Sequence, residues 1–512
     1  MSGSHARLSR CFDSPNKKAL LIILFFCLVW LVLGAKSSEL YSDDDLQHFM
    51  TARYAPYHPL LFLDIWGRPV FTVLYSLGSQ FGIMGARAAS VVIGGLVCWF
   101  SYVYARERGY NRPWLVPLIL AVMPRFSSTC YNLDTGLALC LVLTGTLVLY
   151  AYGKEHLSAL VISLAPAARP EGVLFIGIFA AFFIYKKKWT VLPLLAAGLL
   201  AWDMAGFVYS GDPLWLLHNQ PWTVPYPYKF GLMYYFQKLT EITSPVHVPL
   251  FLAGAVYYFY RWREGDNAII LSSWLVYFIF LAIVVWLGAF ATVGLTRYFN
   301  GTTPLVALLS LAGLNRLLDS KYSVIDVLTG GVLVVAVPYL LINHAYGAMA
   351  LVIATAVTVS LRVFILKGGS AKVAGNVALA GLLVVAGFNY HKFPDGSYKM
   401  EHELVREASL KYMQKSPGRF TLCSTTWFCY FTGKDPYDKS QNMAVTEENL
   451  ETAPVGTVVV WEPHYAGGER YGNIAPQRLL EDHDFQFRWM DDEQFSMIFE
   501  KVAARGQAPE GQ

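Results

Sequence analysis

Long apolar runs separated by short polar breaks fill roughly the first three quarters of this chain, after which the pattern changes. A helix that crosses a bilayer needs about 20 mainly apolar residues. By that measure the runs predict about thirteen transmembrane helices, near 19–35, 84–104, 114–127, 134–152, 156–169, 171–186, 190–208, 247–261, 268–290, 298–315, 324–343, 347–366 and 373–389. The first run, with Lys17 and Lys18 ahead of it, has the outline of a signal peptide. The segment "LGAKSSEL" makes a poor small-residue cleavage site, so the run is read as a retained anchor. From about residue 390 polar and apolar residues mix. There "FTLCST", "TVVVWEP", "FQFRWM" and "FSMIFEKV" predict short strands, and "SYKMEHELVREASLKYMQKS" an amphipathic helix. The domain organisation follows: residues 1–18 as a cytoplasmic N-terminus, 19–389 as a transmembrane domain whose first extracytoplasmic loop is 36–83, and 390–512 as a small α/β domain.

Composition agrees with the pattern. Only 15% of the 512 residues are charged and 55% are hydrophobic, with mean hydropathy +0.40; a soluble domain carries about 25% charged residues. Fourteen Trp, 31 Tyr and 32 Phe supply the aromatics that gather at bilayer interfaces. The net charge of +4 is small, and no basic patch points to nucleic acid. Cys27, Cys98 and Cys140 sit in apolar runs as small core residues, whereas Cys423 and Cys429 could pair in an oxidising compartment.

Placement of charge sets the sidedness. Thirteen alternating spans put "ARERGYNR", "YGKEH", "YKKKW", "YRWREGDN", "NRLLDSK" and "LKGGSAK" on the same face as Arg7, Arg10, Lys17 and Lys18, as cytoplasmic loops require. The opposite, extracytoplasmic face receives 36–83, "MPRFSSTCYNLD", "AARPEG", the loop 209–246, "GLTRYF" and the C-terminal domain. The unusual polar residues of the chain collect there.

The stretch "YSDDDLQHFMTARY" holds three adjacent aspartates. Leu46, Phe49, Met50 and Arg53 fall at helical spacing over 44–54, with Asp43 or Asp44 as N-cap, which predicts a helix lying along the membrane surface. Such a run is ordinarily a solvated cap. Carboxylates this close also raise one another's pKa or bind a cation, which makes one of them a candidate base for an acceptor hydroxyl. Asp134 opens the fourth span as a candidate helix cap, Arg169 and Glu171 sit in a Pro-Gly turn between apolar helices, and Arg297 with Tyr298 opens the tenth span. Asn300-Gly301-Thr302 spells a glycosylation sequon too near the bilayer to be a good acceptor. In loop 209–246, Trp215, His218, Trp222, Tyr226, Tyr228 and Lys229 mix aromatic faces with hydrogen-bonding groups suited to a sugar beside a lipid tail.

"DDLQHFMTAR" resembles the Asp-Glu-x-x-Tyr-x-x-x-Ala-Arg signature of the GT-C glycosyltransferases, especially the lipid A aminoarabinose transferase and protein O-mannosyltransferase branch. Aligning Ala52 and Arg53 with its final Ala-Arg puts Asp44 on the catalytic aspartate, Asp45 on the glutamate and His48 on the aromatic. "LDIWGRPVFTVLYSLGSQFG", with Asp64 and Arg68, is similar to the family's Lys-Pro-Pro-Leu-x-Tyr stretch, although Arg68-Pro69 replaces Lys-Pro and Val70 the second proline. The contexts of Asp134, of Arg169-Pro170-Glu171-Gly172 and of Arg297-Tyr298 are similar to family motifs as well. The resemblance covers about residues 19–315 and implies a polyprenyl-phosphate sugar donor and a lipid, glycan or protein acceptor at the extracytoplasmic face. It implies catalysis by Asp44 with Asp134, and substrate contacts from Asp45, His48, Asp64, Arg68, Arg169, Glu171, Arg297 and Tyr298. No cofactor is required; Asp44 and Asp134 permit a divalent metal without demanding one. The expected setting is the bacterial inner membrane, among its lipids. The rival from another class is a transporter or flippase of lipid-linked sugars, which needs ionisable residues near the bilayer midplane; apart from Asp203, the runs hold almost no ionisable side chains away from their ends.

Overall fold

The computed structural model describes residues 14–38, 40, 43–219, 229–244, 247–289, 294–318, 398–468 and 472–503. The expected spans at 324–343, 347–366 and 373–389, and loop residues Trp222, Tyr226 and Tyr228, lie outside the described residues. The described residues divide into two compact units, one built from 14–35 and 62–318, the other from 36–61 and 398–503.

The first unit is helical. Pro15–Lys36, Gly82–Glu107, Trp189–Ser210 and Asn267–Leu287 are long and apolar enough to cross a membrane, and Pro124–Tyr131 with Gly136–Ala151 forms a pair bent by 108°. Shorter apolar helices cover Pro69–Ser79, Glu155–Ala168, Pro170–Tyr185 and Val248–Tyr260. This is an integral membrane protein of the multi-helix kind. Proline marks two helix boundaries, of which only the one inside 114–127 departs from the expected spans. The run at 114–127 is not a single helix: Leu115–Ala121 ends before Met123, which is extended (φ −74°, ψ 117°) ahead of Pro124. Arg169 is likewise extended (φ −156°, ψ 142°) ahead of Pro170. Proline disfavours the helical region for the residue before it and offers no N–H of its own. Within the expected first loop, Pro69–Ser79 is an apolar helix.

The helices Val248–Tyr260 and Thr303–Leu318 meet backbone to backbone. A Cβ on Gly254 would lie 1.8 Å from the Leu309 carbonyl oxygen, and one on Gly313 would lie 2.0 Å from that of Leu250. Small residues at helix crossings allow this approach, and dispersion contacts replace the hydrophobic effect that lipid removes.

The second unit is α/β. Its sheet has the order β2-β1-β3-β5-β4, with β1 Thr421–Cys423, β2 Asn442–Met443, β3 Val458–Trp461, β4 Phe485–Met490 and β5 Met497–Lys501. β1 runs parallel to β2 and β3, and β5 antiparallel to β3 and β4. Leu422, Val459, Leu479 and Phe499 form its core, and helices Met400–Lys415 and Thr426–Thr432 belong to it. The helix Asp43–Tyr54, from the first loop, packs against Thr426–Thr432. Cys423 and Cys429 are both free and buried.

Candidate active site

In the first unit the polar residues meet at one junction. Asp134 follows the short helix Pro124–Tyr131 and precedes Gly136–Ala151, and is 3% exposed. Its Oδ1 accepts the backbone N–H of Gly136 at 2.5 Å. Its Oδ2 accepts from Asn300 Nδ2 at 2.8 Å. The Arg169 Nη1 stands 3.4 Å from Oδ1 and donates to Thr135 Oγ1 at 3.2 Å. Arg169 Nε is 3.5 Å from Glu171 Oε2, and its guanidinium lies 5.7 Å from the centre of the Tyr298 ring. Tyr277 donates its hydroxyl to the Tyr298 carbonyl at 2.8 Å. Burial opposes the charge on Arg169, but Glu171 and then Asp134 outweigh it and raise its pKa above the ordinary arginine value. The sequence thus brings Asp134, Arg169, Glu171 and Tyr298 together from three separate stretches.

Asn300 is the partner sequence reading missed. It is 2% exposed and bonded to Asp134, which leaves no room for a glycan on its amide. The signal was its position three residues after Arg297, on the same 3-10 turn Thr296–Thr302. A second missed cluster lies beside that turn. Arg125 donates to Glu241 and to Thr296 Oγ1, and Thr296 donates to Glu241 Oε1 at 2.6 Å. Burial raises the Glu241 carboxyl, yet Thr296, Arg125 and Lys238 bring it below its usual value. Arg297 itself is half-buried.

Asp64 and Arg68 shape the same turn. Asp64 Oδ1 accepts from the N–H of Trp66 at 2.7 Å and of Gly67 at 3.0 Å. Arg68 takes φ 60°, uncommon for a residue with a Cβ, and its Nη1 donates to the Ile65 carbonyl at 2.6 Å. Asp203, the one ionisable residue that spoke for transport, accepts the N–H of Leu216 at 2.8 Å and holds the start of Trp215–His218.

The aspartate run belongs to the second unit. Its helix begins at Asp43, so all three aspartates occupy the first turn, where the helix dipole favours negative charge. Asp43 Oδ1 accepts from His402 Nε2 at 2.8 Å and Trp427 Nε1 at 3.1 Å. Burial would raise the Asp43 carboxyl, but these two donors overcome it and hold the pKa at about 2. Asp44 is half-buried, while Asp45 and His48 are buried. Among the described residues no three His, Cys, Asp or Glu side chains gather as a metal site.

The fold is a known one. The chain aligns with ArnT from Cupriavidus metallidurans in the apo state at 13% identity, over 95% of this chain and 98% of that one, with TM-score 0.61. The same enzyme bound to undecaprenyl phosphate aligns at 13% identity over 95% and 99%, with TM-score 0.58. The archaeal oligosaccharyltransferase AglB from Archaeoglobus fulgidus, in complex with an inhibitory peptide and a dolichol-phosphate, matches at 12% identity over 96% of this chain and 75% of that one; its TM-score of 0.42 is too low to establish a common fold. No protein-family model and no curated protein sequence matches the chain. ArnT is a GT-C superfamily member, and this protein has the GT-C fold.

Proposed function

We propose that this protein is a GT-C glycosyltransferase that moves a sugar from a polyprenyl-phosphate donor to a hydroxyl acceptor on the extracytoplasmic face of the membrane. The observation that carries this reading is its fold, shared over nearly its whole length with an ArnT structure bound to undecaprenyl phosphate. In the reaction Asp44 takes the proton of the acceptor hydroxyl as its oxygen attacks the anomeric carbon. The bond from that carbon to the donor phosphate breaks with inversion, and the polyprenyl phosphate leaves with the electron pair. Arg297 is the residue assigned to the departing phosphate, because guanidinium stays charged and binds phosphate oxygens bidentately. Its developing charge is where stabilisation matters most. Phosphate is a good leaving group, so no metal is needed for the step.

The junction supports a different role for Asp134 and Arg169. Both carboxylate oxygens of Asp134 are engaged, and Arg169 lies between two carboxylates. They brace the helix ends, with Asp134 a positioning residue. Transport is the weaker reading, since Asp203 is used to hold a neighbouring turn.

The test is sugar transfer by purified protein in detergent, assayed with a panel of undecaprenyl-phosphate sugars. Asp44→Asn is expected to lower the rate by about 10²–10⁴-fold, the range for a general base. Unchanged transfer by that variant sinks the base assignment. Uptake of a lipid-linked sugar into liposomes without transfer would put the transporter reading in its place.

A further inference from the structure

In the second unit a cleft of about 360 Å³ opens between the helix Met400–Lys415, the turn after it and strands β4 and β5. That volume lies within the range of small-ligand sites. Its charge runs against its surroundings. Across 398–468 and 472–503 acidic residues outnumber basic ones sixteen to ten, yet the cleft is lined by four cations, Lys411, Lys415, Arg419 and Arg488, and one carboxylate, Glu500. Glu500 serves both arginines. Its Oε2 accepts from Arg488 Nε at 2.9 Å and Nη2 at 2.7 Å, and its Oε1 accepts from Arg419. It neutralises one of the four charges and fixes two guanidinium planes. Lys411 and Lys415 make no ion pair among the described residues.

The second component is aromatic. Phe487 is 44% exposed on the edge strand β4, and Trp489 lines the cleft beside it. The register of β4 against β5 shifts between Phe487 and Trp489, a bulge with Arg488 as the extra residue. Bulges re-aim side chains and end pairing, and an exposed aromatic on a free edge invites aggregation unless something uses it. A simple anion needs only the cations, and an acyl chain needs only the apolar surface. A sugar ring uses both, laying its C–H face on an aromatic plane while an acidic substituent takes the fixed guanidiniums.

We propose that this cleft binds an anionic saccharide, a sugar bearing a carboxylate or phosphate. The site stands apart from the transfer reaction and does not depend on that reading. The test is calorimetric titration of the full-length protein in uncharged detergent with trigalacturonic acid and glucose 6-phosphate, beside maltotriose and inorganic phosphate. Either acidic sugar is expected to bind at least tenfold more tightly than maltotriose and than phosphate, and to weaken with added salt. Lys411→Gln with Lys415→Gln, two lysines outside the fold's ion pairs, should weaken binding tenfold or more at an unchanged unfolding temperature. Trp489→Leu, which keeps apolar bulk, should weaken the acidic sugars and leave phosphate alone. Absence of binding, binding that ignores these substitutions, or phosphate binding as tightly as the sugars overturns the proposal.

Discussion

Asp134 shows how much one carboxylate can hold. It receives donors from its own helix start, from the 3-10 turn at Asn300 and from Arg169. Removing one partner of a buried charged pair typically costs about 3–5 kcal/mol, because the other charge is left uncompensated. Asp134→Ala is therefore expected to lower the unfolding temperature in detergent sharply, with Arg169 answering to Glu171 alone. Gly136→Ala tests the same spot sterically: its Cβ would lie 2.7 Å from Asp134 Oδ1 and 2.8 Å from the Asn300 Cβ. A stable Gly136→Ala protein would mean the junction is looser than these distances. Asp43 makes a prediction in pH. Its folded pKa, about 2, lies below the ordinary 3.8, so its contribution is complete above pH 4 and is lost as pH falls from about 4 to about 2. Unfolding temperature followed from pH 5 to pH 2 should show that loss, and Asp43→Asn should flatten this part of the profile. At this scale the sequence was legible where a charge interrupted an apolar run, as at Asp134 and Arg169. It was silent for Asn300, His402 and Trp427, whose importance lies in which distant residue they meet.

At the level of elements, two helices deserve comparison. The helix Asp43–Tyr54 has its N-terminus held by His402 and Trp427 through Asp43. Farther along, Thr51 shares a hydrogen bond of 2.6 Å with the Tyr437 hydroxyl, and just beyond the helix His58 meets Asp435 at 2.8 Å. A helix of 12 residues is marginal alone; here partners at both ends fix it. His402→Ala is expected to lower the rate of transfer with little change in apparent donor affinity, because Asp44 follows Asp43 directly. His402→Gln, which keeps an N–H donor, should recover part of the loss. Equal losses in both would argue against positioning through Asp43. The pair Val248–Tyr260 and Thr303–Leu318 depends instead on the absence of side chains. Gly254→Ala should separate them and unfold the protein at lower temperature, measured beside Gly177→Ala, whose Cβ would meet nothing within 4 Å. Hydrophobic period found these helices readily. It did not place the break at Pro124, inside the run 114–127, whereas Arg169 and Glu171 marked the one at Pro170.

At the scale of the molecule, the apolar count gave the class and charge asymmetry gave an expected sidedness, while the division into units followed neither. The first loop had been expected as part of the transmembrane domain, yet Lys36–Leu61 is compact with the C-terminal residues. No local pattern encodes that choice. Periodicity says that Leu46, Phe49 and Met50 need a covering, and all three are buried; it does not say which segment provides it. Part of the answer is Tyr430, whose ring packs edge-on to Phe49 at 6.2 Å.

That pairing sets a schedule for the ribosome. His402 lies 359 residues beyond Asp43, and at about 5–20 residues per second the wait between them is roughly 20–70 s. Throughout that interval the aspartate segment has been made and its partner has not. The nascent chain must keep three buried apolar side chains of a short helix from finding another home, and the charges of Asp43, Asp44 and Asp45 are well suited to keeping it soluble while it waits.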